Sequence, residues 1–290
     1  MGAHSIIIIL AERSNKKAML RFPLLSALII LLTNCLTANA QYVTDTDIPF
    51  TAKADTYSCE RLRLDIHHPS DTSARLPVIV WFHGGGLTGG SKEIPVGLRQ
   101  KGYVVAAPAY RLIPKVDVEQ CIDDAAEAVA WVMRNICSYG GDPGKIVVAG
   151  HSAGGYLTSM LGFDKRWLAS YGVDADSLKA LVPYSGQVIT HFSDRAAKGI
   201  GALTPYVDEH APLFHVRNDC APYIIITGDA ETELYGRYEE NLYMWRMMKL
   251  VGHKETFLYE IGGHGHGPMG DPAFYILKQH IKRILGEPEK

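Results

Sequence analysis

A serine in a glycine-rich turn, Ser152, is the side chain of this sequence best placed to do chemistry. It lies in the segment GHSAG at residues 150–154. An apolar run at residues 146–149 precedes the segment and helix-forming residues follow at 153–161, so the serine is predicted in a tight turn between a buried strand and a helix. Glycines two positions before and after the serine leave room for such a turn. The helix would direct its first N–H groups toward an oxyanion formed at Ser152.

A second glycine-rich motif, HGGG at residues 83–86, lies upstream. It directly follows the apolar run LPVIVWF at residues 76–82, which is predicted to be a central strand. Three glycines after such a strand can turn their backbone N–H groups toward a developing negative charge. His83 is expected to brace this loop rather than to react.

Carboxylates and histidines lie farther along the chain, each group after a predicted strand. Residues 228–233 (GDAETE) follow the apolar run at 223–227, at the strand end where α/β sheets carry their sites. Residues 262–270 (GGHGHGPMG) follow the predicted strand at 255–261. An imidazole held by a carboxylate can take the proton of a serine hydroxyl near neutral pH. The candidate acids and bases are Asp229, Glu231, Glu233, His264 and His266.

Taken together, these motifs resemble the α/β-hydrolase fold and, within it, the HGGG-type esterases and lipases. The resemblance covers nearly all of the chain after residue 40: HGGG, the segment KGYVVAAPAYRL, GHSAGG, an acidic loop and a late histidine, in the order Ser, acid, His. It implies an α/β fold with a mostly parallel central sheet and helices on both faces. The irregular stretch at about 185–221 is expected to form a small cap.

The resemblance also implies the roles of individual residues. Ser152 is the expected nucleophile, His266 the base and Glu231 the acid. His266 is preferred to His264 because similar hydrolases place the catalytic histidine before a glycine and a nearby methionine. The backbone donors expected at the oxyanion hole are those of Gly85, Gly86 and Ala153.

The choice of acid leaves alternatives open. Asp229 follows its strand at once, whereas in similar hydrolases with a Gly-Asp-x-acid pattern the second acidic residue, here Glu231, reaches the histidine. Glu233 lies closer to the next predicted helix, where it would serve as a first-turn charge favourable to the helix dipole.

The implied reaction is acyl transfer to water through an acyl-serine, which needs neither a metal nor an organic cofactor. The expected substrate is a short-chain ester of a small molecule or a polysaccharide, with acetyl or feruloyl groups on plant glycans as one class. A formamidase and a serine peptidase remain alternatives, although prolyl-oligopeptidase-type peptidases normally carry a propeller domain for which this chain has no room. A non-catalytic binding module on the same fold is the alternative from another class.

The composition is that of an ordinary globular protein. Of the 290 residues 47% are hydrophobic and 21% charged, with a net charge of -2, so no basic excess points to nucleic acid. His67 and His68 are adjacent and expected at the surface, without further ligands at a spacing that would suit a metal.

The first forty residues are predicted to be a secretory signal peptide. Basic residues precede an apolar run at residues 22–36, which ends near the Ala-x-Ala pattern at 38–40. The run is about fifteen residues long, too short to favour a stable membrane span. Met19 is an alternative start, and export to the periplasm or medium is expected. Lipid attachment at Cys35 is the alternative.

Other segments predict the elements around the motifs. Residues 57–67 alternate as an edge strand does, and helices are expected at 116–136, 236–251 and 272–285. Export permits disulfides, but sixteen residues of helix would hold Cys121 and Cys137 about 24 Å apart, too far to pair with each other. Two bridges and free buried thiols both remain open for the four cysteines that follow the signal: Cys59, Cys121, Cys137 and Cys220.

Overall fold

The computed structural model describes residues 41–99 and 102–285. The predicted signal segment, with Met19 and Cys35, lies outside the described residues. Within them, no helix combines the length and the apolar character needed to cross a membrane.

A single mixed sheet forms the centre of the fold. It has eight strands in the order β1-β2-β4-β3-β5-β6-β7-β8. The pairs β1–β2 and β2–β4 are antiparallel, and every other neighbouring pair is parallel. The strands are β1 (Tyr42–Pro49), β2 (Arg63–Pro69), β3 (Leu76–Phe82), β4 (Val104–Pro108), β5 (Gly141–His151), β6 (Ala180–Tyr184), β7 (Tyr223–Gly228) and β8 (Thr256–Ile261).

Helices cover both faces of this sheet. Because successive side chains of a strand point to opposite faces, Val78 and Val80 of β3 belong to one core and Ile79 to another. The first core is closed by α2, α3 and α6, and the second by α7. The described helices are α1 (Thr56–Arg61), α2 (Val118–Asn135), α3 (Ala153–Phe163), α4 (Lys165–Ala169), α5 (Phe192–Ala197), α6 (Arg237–Leu250) and α7 (Gly270–Leu285). The predicted fold class is therefore confirmed.

The stretch at 57–67 departs from its prediction as an edge strand. Its first half forms the helix α1, because the side chain of Asp55 caps the helix by accepting a hydrogen bond of 2.9 Å from the N–H of Ser58. Only the second half pairs in β2, which lies between β1 and β4 and is not an edge. His67 and His68 are consequently buried rather than at the surface.

The cap region begins directly after β6. It carries α5 and a short 3-10 helix, Pro212–His215, before the chain enters β7. Phe192 of this stretch lies beside the HGGG motif, since a Cβ atom at Gly86 would lie 2.8 Å from Cζ of its ring.

All four cysteines in the described part of the chain are free thiols. Cys121 and Cys220 are buried, and burial raises the pKa of each thiol to about 12. They pack as small apolar side chains, so the two-bridge alternative is not what the structure contains.

Candidate active site

Ser152 lies at the junction of β5 and α3 in a strained backbone conformation. Its φ is 57° and its ψ is −115°, a region that non-glycine residues rarely adopt. The N–H of Ser152 donates a hydrogen bond of 2.7 Å to the carbonyl of Tyr184, which fixes the turn to the neighbouring strand β6. The serine is therefore held at the carboxyl end of the sheet, in the strand–turn–helix geometry of a nucleophile elbow.

The glycine two positions after the serine is required by a close backbone approach. A Cβ atom at Gly154 would lie 2.0 Å from the carbonyl oxygen of Phe82, the last residue of β3. No side-chain rearrangement relieves that overlap, because the obstructing atoms belong to the backbone. The same packing brings the HGGG loop, which follows Phe82, against the serine turn.

We expect Gly154→Ala to lower the free energy of unfolding by about 3 kcal/mol or more, since the overlap can be relieved only by backbone movement. Urea denaturation followed by circular dichroism measures the change. Gly262→Ala is the matched control, because a Cβ there meets no atom within 4 Å, and its effect should stay within about 0.5 kcal/mol. Equal stability of the two variants would contradict the close approach.

His266 connects the serine to a carboxylate. Its Nε2 atom lies 2.9 Å from Oγ of Ser152, and its Nδ1 atom lies 2.6 Å from Oε1 of Glu233. Both contacts are of hydrogen-bond length, and they use the two different nitrogens of one imidazole. The structure thus brings Ser152 and His266 together as the sequence predicted, with a carboxylate on the far side of the ring.

The residue that supplies this carboxylate differs from the prediction. Glu231 is exposed, and the prediction that it contacts His266 is wrong. The backbone N–H groups of Thr232 and Glu233 both donate to the carbonyl of Asp229, so residues 229–233 form a turn. This turn carries Glu233 back over the end of β7, where its Oε2 accepts a hydrogen bond of 3.0 Å from the N–H of Gly228.

Asp229, an alternative acid, and His264, the alternative base, make other contacts instead. The carboxylate of Asp229 accepts a hydrogen bond of 2.7 Å from the N–H of Gly263. This bond connects the acid loop (residues 229–236, between β7 and α6) to the histidine loop (residues 262–269, between β8 and α7). His264 is exposed, and its Nδ1 atom lies 3.1 Å from the carbonyl of Gly262. Glu233 is not a first-turn charge, because α6 begins only at Arg237.

Glu233 is held as an ionised carboxylate. Burial alone would raise its pKa, but hydrogen bonds from His266, from the hydroxyl of Ser185 and from the N–H of Leu234 outweigh burial and lower the pKa to about 2. Its side chain is only 1% exposed. A fixed negative charge at this position orients the imidazole.

Sequence reasoning missed Ser185. This residue directly follows β6, has a φ of 48°, and places its Oγ atom 2.6 Å from Oε2 of Glu233 and 2.9 Å from Nδ1 of His266. The buried guanidinium of Arg237 donates a hydrogen bond to its backbone carbonyl. The available signal was its place after a parallel strand, since such strand ends share the edge of the sheet that carries Ser152 and Glu233.

His151 holds the backbone of the histidine loop by a hydrogen bond. Its Nε2–H donates a hydrogen bond of 2.7 Å to the carbonyl of His266, and the two rings lie 4.7 Å apart. Burial, followed by the neighbouring His266, lowers the pKa of His151 to about 4. The ring is therefore neutral near neutral pH and positions the loop without adding charge.

The glycine loop, which is the HGGG motif at residues 83–86, lies against the turn that carries Ser152. A Cβ at Gly84 would lie 3.3 Å from Cβ of Ser152. Gly85 and Gly86 have φ values of 113° and 64°, and no acceptor in the described part of the chain pairs with their backbone N–H groups. His83 braces the loop as expected: its ring nitrogen Nδ1 lies 2.6 Å from the carbonyl of Gly84, and its ring stacks on Tyr110.

Ala153, the third predicted donor of the oxyanion hole, is the first residue of α3. Its N–H belongs to the first turn of a helix, where backbone donors have no partner within the helix. The helix start that carries the N–H of Ala153 directly follows Ser152, and the glycine loop approaches Ser152 at Gly84, the neighbour of Gly85.

One cluster outside this centre could in principle hold a metal ion. It comprises Asp194, Asp208 and His210 in the cap. The ammonium group of Lys198 already lies 2.8 Å from a carboxylate oxygen of Asp194 and 2.5 Å from one of Asp208. A lysine thus supplies the positive charge that this acidic cluster requires.

Comparison with known sequences finds one family match and several related esterases. A sequence family described as BD-FAE matches residues 64–181, which include the glycine loop and Ser152 but neither Glu233 nor His266. A probable isoprenylcysteine alpha-carbonyl methylesterase of Oryza sativa subsp. japonica is 35% identical over 47% of this chain and 35% of its own length. Carboxylesterase 1F of Mus musculus is 40% identical over 36% of this chain and 21% of its own length. The chain therefore spans 35% of the length of the first relative and 21% of the second.

Solved structures match over a larger part of the chain. A truncated form of a carbohydrate esterase from gut microbiota has a TM-score of 0.72 at 18% identity, covering 86% of this chain and 99% of its own. Thermogutta terrifontis esterase 2, phosphonylated by sarin, has a TM-score of 0.70 at 23% identity, covering 85% and 97%. The chain has the α/β-hydrolase fold, and the resemblance to α/β-hydrolase esterases is confirmed.

Proposed function

We propose that this α/β-hydrolase is a serine esterase that hydrolyses short-chain carboxylic esters through an acyl-serine intermediate. One observation carries the proposal: a single imidazole joins Oγ of Ser152, at 2.9 Å, to the buried carboxylate of Glu233, at 2.6 Å. This arrangement activates a serine hydroxyl as a nucleophile.

The proposed mechanism assigns each step to a residue of this centre. Nε2 of His266 takes the proton of Ser152 as Oγ attacks the ester carbonyl, and the backbone N–H groups of Gly85, Gly86 and Ala153 stabilise the resulting oxyanion. His266 then protonates the departing alcohol, which leaves the acyl group on Ser152. A water molecule, deprotonated by His266, releases the acid and restores the serine.

Glu233 remains ionised throughout this cycle. Its carboxylate keeps the proton of the neutral imidazole on Nδ1, so that Nε2 is free to accept the proton of Ser152. It also stabilises the imidazolium that forms at each transfer. Because its pKa is about 2, the carboxylate stays ionised through the neutral and mildly acidic range.

The first test is hydrolysis of p-nitrophenyl acetate by the chain without its first forty residues. We expect release of p-nitrophenol that saturates with substrate, and faster hydrolysis of acetyl and butyryl esters than of long-chain esters. A folded protein that releases no p-nitrophenol from any of these esters would contradict the proposal. N-Formyl amides and peptide anilides in the same assay test the formamidase and peptidase alternatives.

We further propose an exported enzyme that acts on acetyl or feruloyl esters of plant polysaccharides. The signal-like segment at residues 1–40 supports export, and the carbohydrate esterase among the structural matches supports the substrate class. Acetylated and feruloylated xylans are the decisive substrates, with release of acetate or ferulate as the measurement. Hydrolysis confined to lipid esters would contradict the glycan assignment while leaving the esterase proposal intact.

A further inference from the structure

A cavity of about 260 Å³ lies between the cap and the loop that carries Glu233. Its walls include Phe192 from the cap and Leu234 and Tyr235 from the acid loop. Phe192 adjoins the glycine loop, because a Cβ at Gly86 would lie 2.8 Å from Cζ of this ring. The cavity is therefore bordered on one side by a neighbour of the expected oxyanion hole and on the other by residues next to Glu233.

Two buried arginines, Arg195 and Arg237, share the wall of this cavity. Each is only 3% exposed, and each uses one terminal nitrogen to donate to a backbone carbonyl, that of Thr204 for Arg195 and that of Ser185 for Arg237. The Nε atoms of both guanidinium groups are buried without a hydrogen-bond partner. Their second terminal nitrogens have no hydrogen bond to any residue that the structure describes.

The charges of these guanidinium groups are incompletely balanced. Neither forms a salt bridge within the described ranges. Burial lowers the pKa of Arg237, the carboxylates of Glu240 and Glu233 oppose that decrease, and the charge of Arg195 adds to it. Glu240 itself is engaged with the N–H of Val188 at 3.1 Å, and Glu233 with His266. Because neither guanidinium group has a salt bridge of its own, an anion bound between them would gain charge-assisted hydrogen bonds that the described residues do not supply.

We propose that this cavity binds a carboxylate carried by the ester substrate, so that the enzyme prefers esters bearing a second, anionic group. The inference rests on the proposed function, since it assigns the cavity beside the catalytic centre to part of the same substrate. A carboxylate accepts charge-assisted hydrogen bonds from guanidinium groups, and the second terminal nitrogens of Arg195 and Arg237 are the donors.

The remaining walls define the rest of the recognised group. Phe192 and Leu234 offer apolar surface, so the carbon skeleton next to the carboxylate can be aliphatic or aromatic. The volume is below the range typical of a pocket for a whole drug-sized ligand. It therefore accommodates one arm of the substrate, with the reacting ester outside it at Ser152.

Two pairs of esters test the preference and distinguish the arm that carries the charge. In the first pair the anionic ester is mono-4-nitrophenyl glutarate, with its carboxylate on the acyl arm, and the neutral ester is 4-nitrophenyl pentanoate. In the second pair the anionic ester is 4-acetoxybenzoate, with its carboxylate on the alcohol arm, and the neutral ester is 4-acetoxybenzamide. Each kcat/KM is divided by the rate at which hydroxide hydrolyses that ester. We expect the anionic ester of one pair to be preferred by about tenfold or more. If the neutral esters are hydrolysed but the ratio of anionic to neutral kcat/KM is near one in both pairs, this inference is overturned and the esterase proposal is not.

Variants of Arg195 then test whether this cavity causes the preference for anionic esters. Arg195→Gln should bring the ratio of anionic to neutral ester down toward one, and Arg195→Lys should give an intermediate ratio, because it keeps the charge but loses the planar fork. Arg134→Gln is the control, since it removes the same charge from an exposed position and should leave the ratio unchanged. A preference that survives Arg195→Gln in a protein with a normal melting transition would overturn the assignment to this cavity.

A binding measurement tests whether the cavity holds a carboxylate without requiring substrate turnover. Benzoate and benzamide are titrated calorimetrically into the Ser152→Ala protein and into the Ser152→Ala/Arg195→Lys protein. We expect benzoate to bind the first protein more tightly than benzamide does, and to lose about tenfold in affinity in the second. Equal binding of the two ligands would overturn the inference, whereas failure of every ester to react would count against the proposed esterase function and leave this measurement valid.

Discussion

Ser152→Ala is expected to lower kcat for p-nitrophenyl acetate by about 10⁴-fold to 10⁶-fold. Without Oγ no acyl-enzyme can form, and the remaining activity would come only from substrate binding and the oxyanion donors, which would assist direct attack by water. Steady-state p-nitrophenol release at high enzyme concentration measures the loss. Since the strained φ of 57° suits alanine no better than serine, the melting temperature should change little.

The control for this prediction is Ser170→Ala, because Ser170 is exposed and follows the last residue of α4. Its kcat should remain at the wild-type value. A sulfonyl fluoride that reacts with activated serines should add one adduct to the wild-type protein, located at Ser152 by mass spectrometry of the digested chain, and none to Ser152→Ala. An adduct at another serine, or turnover that persists in Ser152→Ala, would refute the acyl-serine mechanism.

The position of Ser152 could be predicted because it depends on local structure. The apolar run before it, the helix-forming residues after it and the glycine at 154 all act within a few residues of the serine. The structure shows the consequence directly, since a Cβ at Gly154 would overlap the carbonyl oxygen of Phe82. The parallel sheet was predictable for the same reason, because each central strand contains a short, continuous apolar run.

The acid could not be predicted in the same way. Glu231 and Glu233 differ by two positions in one loop, and local sequence does not determine which of them faces a histidine more than thirty residues away. The outcome depends on the turn at Asp229, whose carbonyl accepts two N–H groups and whose carboxylate holds the N–H of Gly263. That turn is fixed by contact with the histidine loop, which is a tertiary interaction.

The partners of the acid were also beyond local reasoning. Ser185 lies 48 residues before Glu233, and its conformation depends on Arg237 of α6, which binds its carbonyl. Arg195 was recognisable in the sequence as one of several polar cap residues that could line a pocket, but nothing in the sequence distinguished it from the others, because most such arginines are solvated. Only the packing of the cap against the acid loop places it beside Arg237.

Glu233→Gln is expected to lower kcat by about 10⁴-fold while leaving KM nearly unchanged. The amide can donate a hydrogen bond to Nδ1, which would favour the imidazole tautomer with its proton on Nε2, where it cannot accept the proton of Ser152. The amide also carries no charge to stabilise the imidazolium. Because the shape of the side chain is kept, Ser185 and the N–H of Gly228 can still bind its carbonyl oxygen, and the protein should fold.

Glu231→Gln is the matched control for this last prediction, since it makes the same chemical change two residues away on an exposed side chain. Its kcat should stay within about twofold of wild type, because no hydrogen bond links its side chain to His266 in the part of the chain that the structure describes. Asp229→Asn should fall between the two, since its carboxylate positions the histidine loop through Gly263 without contacting the imidazole. If Glu231→Gln lost activity by orders of magnitude and Glu233→Gln did not, the loop would have to adopt a different turn during catalysis from the one seen here.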